Sequence, residues 1–436
     1  MTIRQASNDA QRAAGELRGW QLGVLAAGTF TLGVDGFVLA GLLPAISDDL
    51  SVSVSTAGQL TTIFALTYAV GSPVIATLTG RWDRRVLLGG GLALFLIGMA
   101  AQALAPSYGV MAAGRAFAAI GAAAFQSNAY VMAGTLVSPA RRGRALAAVT
   151  AGTSLSTVLG VPFGVLVGQW IGWRAVLWII AGLAALTAVT VPKLPRAHVP
   201  PTSMRTRLGV LTRPSVLMVL IATVAVVVPP FLLISYLPST LGMAGTDGTN
   251  TRLVIILLAF GLGSVIGNRL VGRLVDGRGA LPVLTAGMAA LAGLLAVLVA
   301  AREWYGAALA VILLIGVCQG FSITPQQHRL FVVAPDVSTV ALGLNGSAIY
   351  LGAALGAAIG GVALDLGGGA GVPATAAILA TAAVAFATLT APERRPRTTD
   401  VPATVPPARP SPDATPTASD PTAIPAPSPA SSTSTP

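Results

Sequence analysis

The sequence predicts an all-α polytopic membrane protein built from two pseudo-symmetric six-helix bundles, and three observations carry that reading. Of 436 residues, 54% are hydrophobic and only 9% charged, whereas soluble domains carry about 25% charged residues; the mean hydropathy is +0.78. Apolar runs of about 18–25 residues, the length that crosses a bilayer as a helix, recur twelve times. Landmarks of the first half return in the second at a near-constant spacing of 192–193 residues.

The polar segment 1–19 has no apolar stretch of the kind a cleaved leader carries. Six apolar runs follow, at 20–43, 58–78, 87–105, 109–136, 145–168 and 175–192, and make the first bundle, 20–192. A polar connection, 193–213, leads to the second bundle, 214–391. Its runs lie at 214–236, 252–271, 282–301, 307–332, 339–363 and 372–391. Residues 392–436 hold 13 of the chain's 30 prolines among Ala, Ser and Thr. Such a composition buries too little apolar surface to fold, so a disordered tail is expected.

The repeat is visible in particular residues. Asp83 and Asp276 are each expected in an arginine-rich loop after the second run of their half. Gly160, Gly164 and Gly168 in the fifth run answer Gly352, Gly356 and Gly360 in the eleventh. A duplicated six-span unit suits a secondary transporter with a site near the midplane between the repeats.

Basic residues set the expected orientation. One set of connections holds Arg81, Arg84 and Arg85; Arg141, Arg142 and Arg144; Lys193, Arg196, Arg205, Arg207 and Arg213; and Arg273 and Arg278. The opposite connections hold Asp48 and Asp49, Asp247, Arg302 beside Glu303, and Asp365, with Arg174 and Arg252 as exceptions at span edges. Both termini are therefore expected in the cytoplasm of a bacterial cell, across its plasma membrane. The net charge of +11 then reads as a topology signal, and nucleic acid is not expected as a partner.

Two deep charges stand out. Asp35, in GVDGFVLAGLLP, lies inside the first run. A carboxylate at the bilayer centre costs roughly 2.5–3.5 kcal/mol on insertion scales, and such acids mark ion or substrate paths. Asp35 is the candidate proton carrier; the bland alternative is a helix-end aspartate at the interface. Arg115, in the fourth run, is the candidate counter-charge or competitor for Asp35, or else a snorkelling arginine near a helix end.

In the GRWDRRVLL loop, Gly80, Asp83, Arg84 and Arg85 are read as a cytoplasmic latch that breaks and reforms as the halves rock. GRLVDGRG, with Gly272, Asp276 and Arg278, repeats the idea. The fifth run spaces small residues four apart, around Gly160, Pro162 and Gly164, which permits close helix approach. Pro162 is expected to kink it, and the stripe is read as a seam or pivot between the halves. Tyr68, Gln126, Asn128, Tyr236, Gln319, Asn345 and Tyr350 are candidates to line a substrate cavity, each also explicable as an interhelical hydrogen bond.

Several functions lack their residues. There is no phosphate-binding G-x-x-x-x-G-K-[ST] loop. The only histidines are His198 and His328, without metal-ligand spacing, and no buried serine has a visible base. No cofactor, metal or enzymatic activity is expected; the partners are protons, a small molecule and the lipid bilayer.

Over residues 20–391 these features resemble the major facilitator superfamily. They are most similar to its twelve-span drug:proton antiporters, the branch with chloramphenicol-resistance proteins and sugar or nucleoside exporters. GVDGFVLAGLLPAI resembles the first-span signature of that branch. Gly80, Asp83, Arg84 and Arg85 match the family's loop motif, with Thr79 where glycine is usual, and Gly272, Asp276, Arg278 and Gly279 match its second copy. Arg115, Gly121, Ala122 and Ala123 match the fourth-span pattern, with Ala118 and Ala119 replacing its Gln and Gly. Gly160-Val161-Pro162-Phe163-Gly164 resembles the antiporter motif with one residue inserted. The resemblance implies a monomer that exchanges protons for an exported amphiphilic antibiotic, chloramphenicol-like compounds being favoured. Export of a sugar, nucleoside or other metabolite, and a non-transporting membrane sensor, are the alternatives.

Overall fold

The computed structural model describes residues 17–138, 141–197, 204–242 and 251–390. The expectations for 1–16, for the tail 392–436 and for Asp247 and His198 lie outside these residues. Ten long helices come first among the described residues: α1 Gly19–Asp49, α2 Val54–Leu78, α3 Arg84–Ala103, α4 Tyr108–Thr135, α5 Arg142–Ile171, α6 Trp173–Thr190, α7 Pro214–Ser235, α8 Thr251–Arg278, α9 Ala280–Ala301 and α10 Tyr305–Val333. A last helical run, Ser338–Leu389, is 52 residues long and broken at Gly368, with φ 57° and ψ −155°. A left-handed φ suits glycine, which has no Cβ to clash. A straight helix would hold residues 363 and 371 about 12 Å apart, yet a methyl group at Gly371 would collide with the Ala363 carbonyl. The chain doubles back there, giving α11 (338–367) and α12 (369–389). Among the described residues, the eleven helical runs long and apolar enough to cross a membrane thus become twelve.

The repeat in the sequence is a repeat in packing. Gly160, Gly164 and Gly168 of α5 lie against Val34, Val38 and Leu42 of α1. Gly352 and Gly356 of α11 lie against Val227 and Val228 of α7, and Gly360 against Leu232 and Tyr236. The α5 glycines are thus a seam within the first half, and the expectation of a seam between halves is corrected. Every fourth position falls on one helix face, and that face is turned to α1. Pro162 carries no N–H for the Val158 carbonyl, and the helix accommodates it with a π turn at Ser156–Gly160.

Contacts between the halves run along other lines, among them α2 with α11 and α5 with α8. On α2 and α11, Thr62 Oγ1 donates to the Ala354 carbonyl at 3.4 Å, Ala65 packs on Ala353 and Ala354, and Tyr68 stacks on Tyr350 with ring centroids 3.6 Å apart. On α5 and α8, a methyl at Gly261 would sit 2.8 Å from Val158 Cα. The preceding part of α5, Arg142–Leu155, packs on α1 and α4 of its own half. Toward the arginine-bearing end a short helix, Met204–Leu211, touches both α2 and α11.

The second charged motif is corrected from loop to helix. Val271 and Val275 face Ala280 and Val283 as a small apolar cluster, so helical register continues through Asp276 to Arg278. In the first half α2 stops at Leu78, and Asp83 starts a new helix by accepting from Arg85 N–H at 3.0 Å.

Candidate functional site

Asp35 lies sixteen residues along α1 and Arg115 seven along α4. Glycine brings the helices together: Gly28 of α1 is covered by the Phe125 ring, and Gly33 by Ser156. Asp35 Oδ1 accepts from Arg115 Nη1 at 2.8 Å, with both side chains fully buried. Arg115 Nε donates to the Leu60 carbonyl at 3.4 Å, and its guanidinium lies 4.3 Å from the Phe64 ring centroid. A face-on aromatic ring stabilises a desolvated cation by about 2 kcal/mol.

The pair is incompletely satisfied. Asp35 Oδ2 and Arg115 Nη2 are buried without a hydrogen-bond partner among the described residues. A buried charge pair survives only when its remaining donors and acceptors are well placed, and losing one member typically costs about 3–5 kcal/mol. Two spare polar atoms at the centre of a membrane bundle are chemically available to a proton or a polar ligand group. Aromatic rings lie close by, with Phe64 and Tyr68 6.5 Å apart and Phe37 of α1 5.8 Å from Phe231 of α7.

Among the cavity candidates, the Tyr68–Tyr350 stack joins the halves near this pair in sequence register on α2. Gln126 is half-buried on α4, and Gln319 on α10 keeps a buried Oε1 without a hydrogen-bond partner among the described residues. Asn128 takes a different place: its Oδ1 accepts from Arg84 at 3.3 Å and its Nδ2 donates to Ala124. Asn345 Oδ1 accepts from Thr223 Oγ1 at 2.8 Å, fully inside the second half.

Tyr236 closes the end of the bundle away from the arginines. Its ring is fully buried among Gly58 of α2 and Gly360 and Gly361 of α11. Its hydroxyl donates to the Ala357 carbonyl at 2.9 Å and reaches the Ser55 carbonyl at 3.5 Å.

The loop at Gly80–Arg85 grips the chain that leaves the first half. Asp83 Oδ1 accepts from Ala197 N–H at 3.1 Å, with Arg196 Nε at 4.0 Å from Oδ2. Arg84 donates to the Gly80 carbonyl and Arg85 to the Pro192 carbonyl. Asp276 and Arg278 stand exposed at the end of α8, and Asp276 forms no ion pair among the described residues. The two basic exceptions at the opposite end have local partners: Arg174 pairs with Asp49 and stacks on Trp173, and Arg252 lies over Tyr305.

Sequence reasoning missed Phe64, the Leu60 carbonyl and Thr223. Phe64 was detectable, since it lies one helical turn from Tyr68; a backbone carbonyl leaves no signal in sequence.

The profile of the Major Facilitator Superfamily matches residues 25–345. The chain is 32% identical over 367 residues to the inner membrane transport protein YdhP of Escherichia coli (strain K12), covering 82% of this chain and 92% of that protein. It is 31% identical over 351 residues to the MFS-type transporter YbcL of Bacillus subtilis (strain 168), covering 79% and 89%. It is 35% identical over 277 residues to a chloramphenicol resistance protein of Streptomyces lividans, covering 62% and 70%.

Proposed function

The chain belongs to the Major Facilitator Superfamily, a multi-pass membrane transporter and not an enzyme, and we propose that it is a proton-coupled exporter of a small amphiphilic antibiotic, chloramphenicol-like compounds being favoured. The observation that carries this reading is the buried Asp35–Arg115 pair with one spare oxygen and one spare nitrogen. The named chloramphenicol resistance relative supports the substrate class.

The arginine-bearing end faces the cytoplasm of a bacterial cell, and the Tyr236 end faces outside. With its carboxylate charged, Asp35 holds Arg115. A proton arriving from outside neutralises the carboxylate and releases the guanidinium; the proton leaves to the cytoplasm when the pair reforms as a substrate binds. Tyr236 withdraws from Gly58 and Gly361 when the outer end opens. Each proton moving inward gains roughly 2.3 kcal/mol per 100 mV, enough for about fifty-fold outward accumulation of a neutral substrate.

The test is accumulation of labelled chloramphenicol in cells expressing wild type or Asp35→Asn, with and without a protonophore. Low wild-type accumulation, raised by the protonophore or by the substitution, is the expected result. Wild-type accumulation equal to that of empty cells removes chloramphenicol as substrate. A panel of sugars and nucleosides then tests metabolite export, and no flux of any compound in proteoliposomes would leave the sensor reading.

A further inference from the structure

At the arginine-bearing end, a cleft of about 280 Å³ opens on the outer surface between α1 and α6. Its walls include Trp20, Gly23 and Ala27 of α1 and Leu183, Thr187 and Thr190 of α6. The hydroxyls here are already used inside their own helices: Thr187 donates to the Leu183 carbonyl and Thr190 to the Thr187 carbonyl. The cleft therefore offers hydrocarbon no unmet polar group. Gly23 leaves it open, since a methyl there would meet nothing within 4 Å.

The cleft extends along α1 from Trp20 to Thr31, a rise of about 16 Å, close to half the roughly 30 Å hydrocarbon thickness. Trp20, half exposed, marks the interface as amphipathic aromatic rings do. At that mouth the Gln21 side chain ties together the backbone at two cationic residues. Gln21 Oε1 accepts from Arg18 N–H at 2.8 Å, and Gln21 Nε2 donates to the Lys193 carbonyl at 3.3 Å. Arg18 and Lys193 are both exposed, and neither meets a carboxylate among the described residues.

An apolar slot one leaflet long, with two free cations at its interfacial mouth, has the charge and polarity pattern of one ligand class. The geometry points to a binding site for an anionic phospholipid of the leaflet at the arginine-bearing end, one acyl chain in the α1–α6 cleft and the phosphate at Arg18 and Lys193. The site lies on the lipid-facing surface and does not depend on what the transporter carries.

Native mass spectrometry of the full-length chain in detergent tests this, titrating phosphatidylglycerol, phosphatidylcholine with the same acyl chains, and glycerol phosphate. Arg18→Gln with Lys193→Gln removes both charges and leaves the backbone atoms that Gln21 binds. Gly23→Trp fills the slot where there is space for it. Unchanged melting temperature and monodisperse elution establish that the variants are folded. Wild type is expected to retain phosphatidylglycerol over phosphatidylcholine by about thirtyfold, as two interfacial cations at about 1 kcal/mol each imply. The double charge variant is expected to bring that ratio close to one, and Gly23→Trp to lower retention of both lipids. The proposal is overturned if the charge variant keeps the preference, if Gly23→Trp retains lipid like wild type, or if glycerol phosphate binds as well as the lipid.

Discussion

In the first half, α5 lays three glycines against α1; in the second, α11 lays three glycines against α7 at the same spacing. At that spacing Asp35 corresponds to Val227, fully buried, and Arg115 falls on Ala307 or Ala308. Where the first half encloses an ion pair, the second has aliphatic side chains at the corresponding positions; elsewhere it buries the neutral Thr223–Asn345 hydrogen bond and Arg329, which donates to Gln326 on α10. The duplication kept the scaffold, which depends on glycine spacing, and among the described residues a fully buried carboxylate–guanidinium pair is found in the first half alone. A carboxylate and a guanidinium in low dielectric are tolerable as a pair, and a second pair would add its own desolvation cost.

Breaking the first-half pair should have the largest effect. Arg115→Met leaves Asp35 buried without its cation and should cost about 3–5 kcal/mol, read as a fall in melting temperature. Asp35→Asn combined with Arg115→Met should recover much of that stability while transport stays lost. Transplanting half of the pair is the next largest change: Val227→Asp puts a carboxylate where no guanidinium waits. It should destabilise by roughly 2.5–3.5 kcal/mol, and a neutral outcome would mean that the second half hides a partner.

The shared scaffold should respond alike in both halves. A methyl at Gly164 would lie 2.7 Å from Val38 Cγ2, and one at Gly356 2.7 Å from the Val228 carbonyl. Gly164→Ala and Gly356→Ala should each cost about 1–3 kcal/mol, the latter more, because backbone yields less than a side chain. Thermal unfolding of the two variants compares them. Thr223→Val removes the hydroxyl that donates to both Asn345 Oδ1 and the Val219 carbonyl and should cost about 1–3 kcal/mol, with transport retained.

The smallest effect belongs to the surface pair of the second half. Arg213 donates twice to Asp336, at 2.9 and 2.8 Å, and that bond holds the Asp336 carboxyl below its ordinary value of 3.8. A depressed carboxyl contributes stability above the ordinary value and loses it as pH falls through the lower folded one. Asp336→Asn should therefore unfold slightly earlier than wild type at neutral pH, and the two should converge in acid.

Much of this was legible in the sequence because bilayer length, arginine placement and glycine spacing are one-dimensional signals. The twelve runs and the α5 and α11 glycines are of that kind. The Asp35–Arg115 contact was not, since the two residues are 80 positions apart and meet only because Gly28 and Gly33 admit neighbouring side chains. The partner of a glycine stripe was also hidden: spacing shows that a face is small, and packing decides that it turns to α1. GRLVDGRG read as a loop because charge outweighed the Val271–Val275 register, which only its neighbours on α9 make decisive.

The most direct test of the account is substrate-induced proton release. Purified wild type and Asp35→Asn, in weakly buffered detergent with a pH-sensitive dye, are each mixed with a transported compound. If the Asp35–Arg115 pair couples substrate to protons, wild type releases protons on binding and Asp35→Asn binds without release. Equal release from both proteins would contradict it, and the proton would then have to be carried elsewhere.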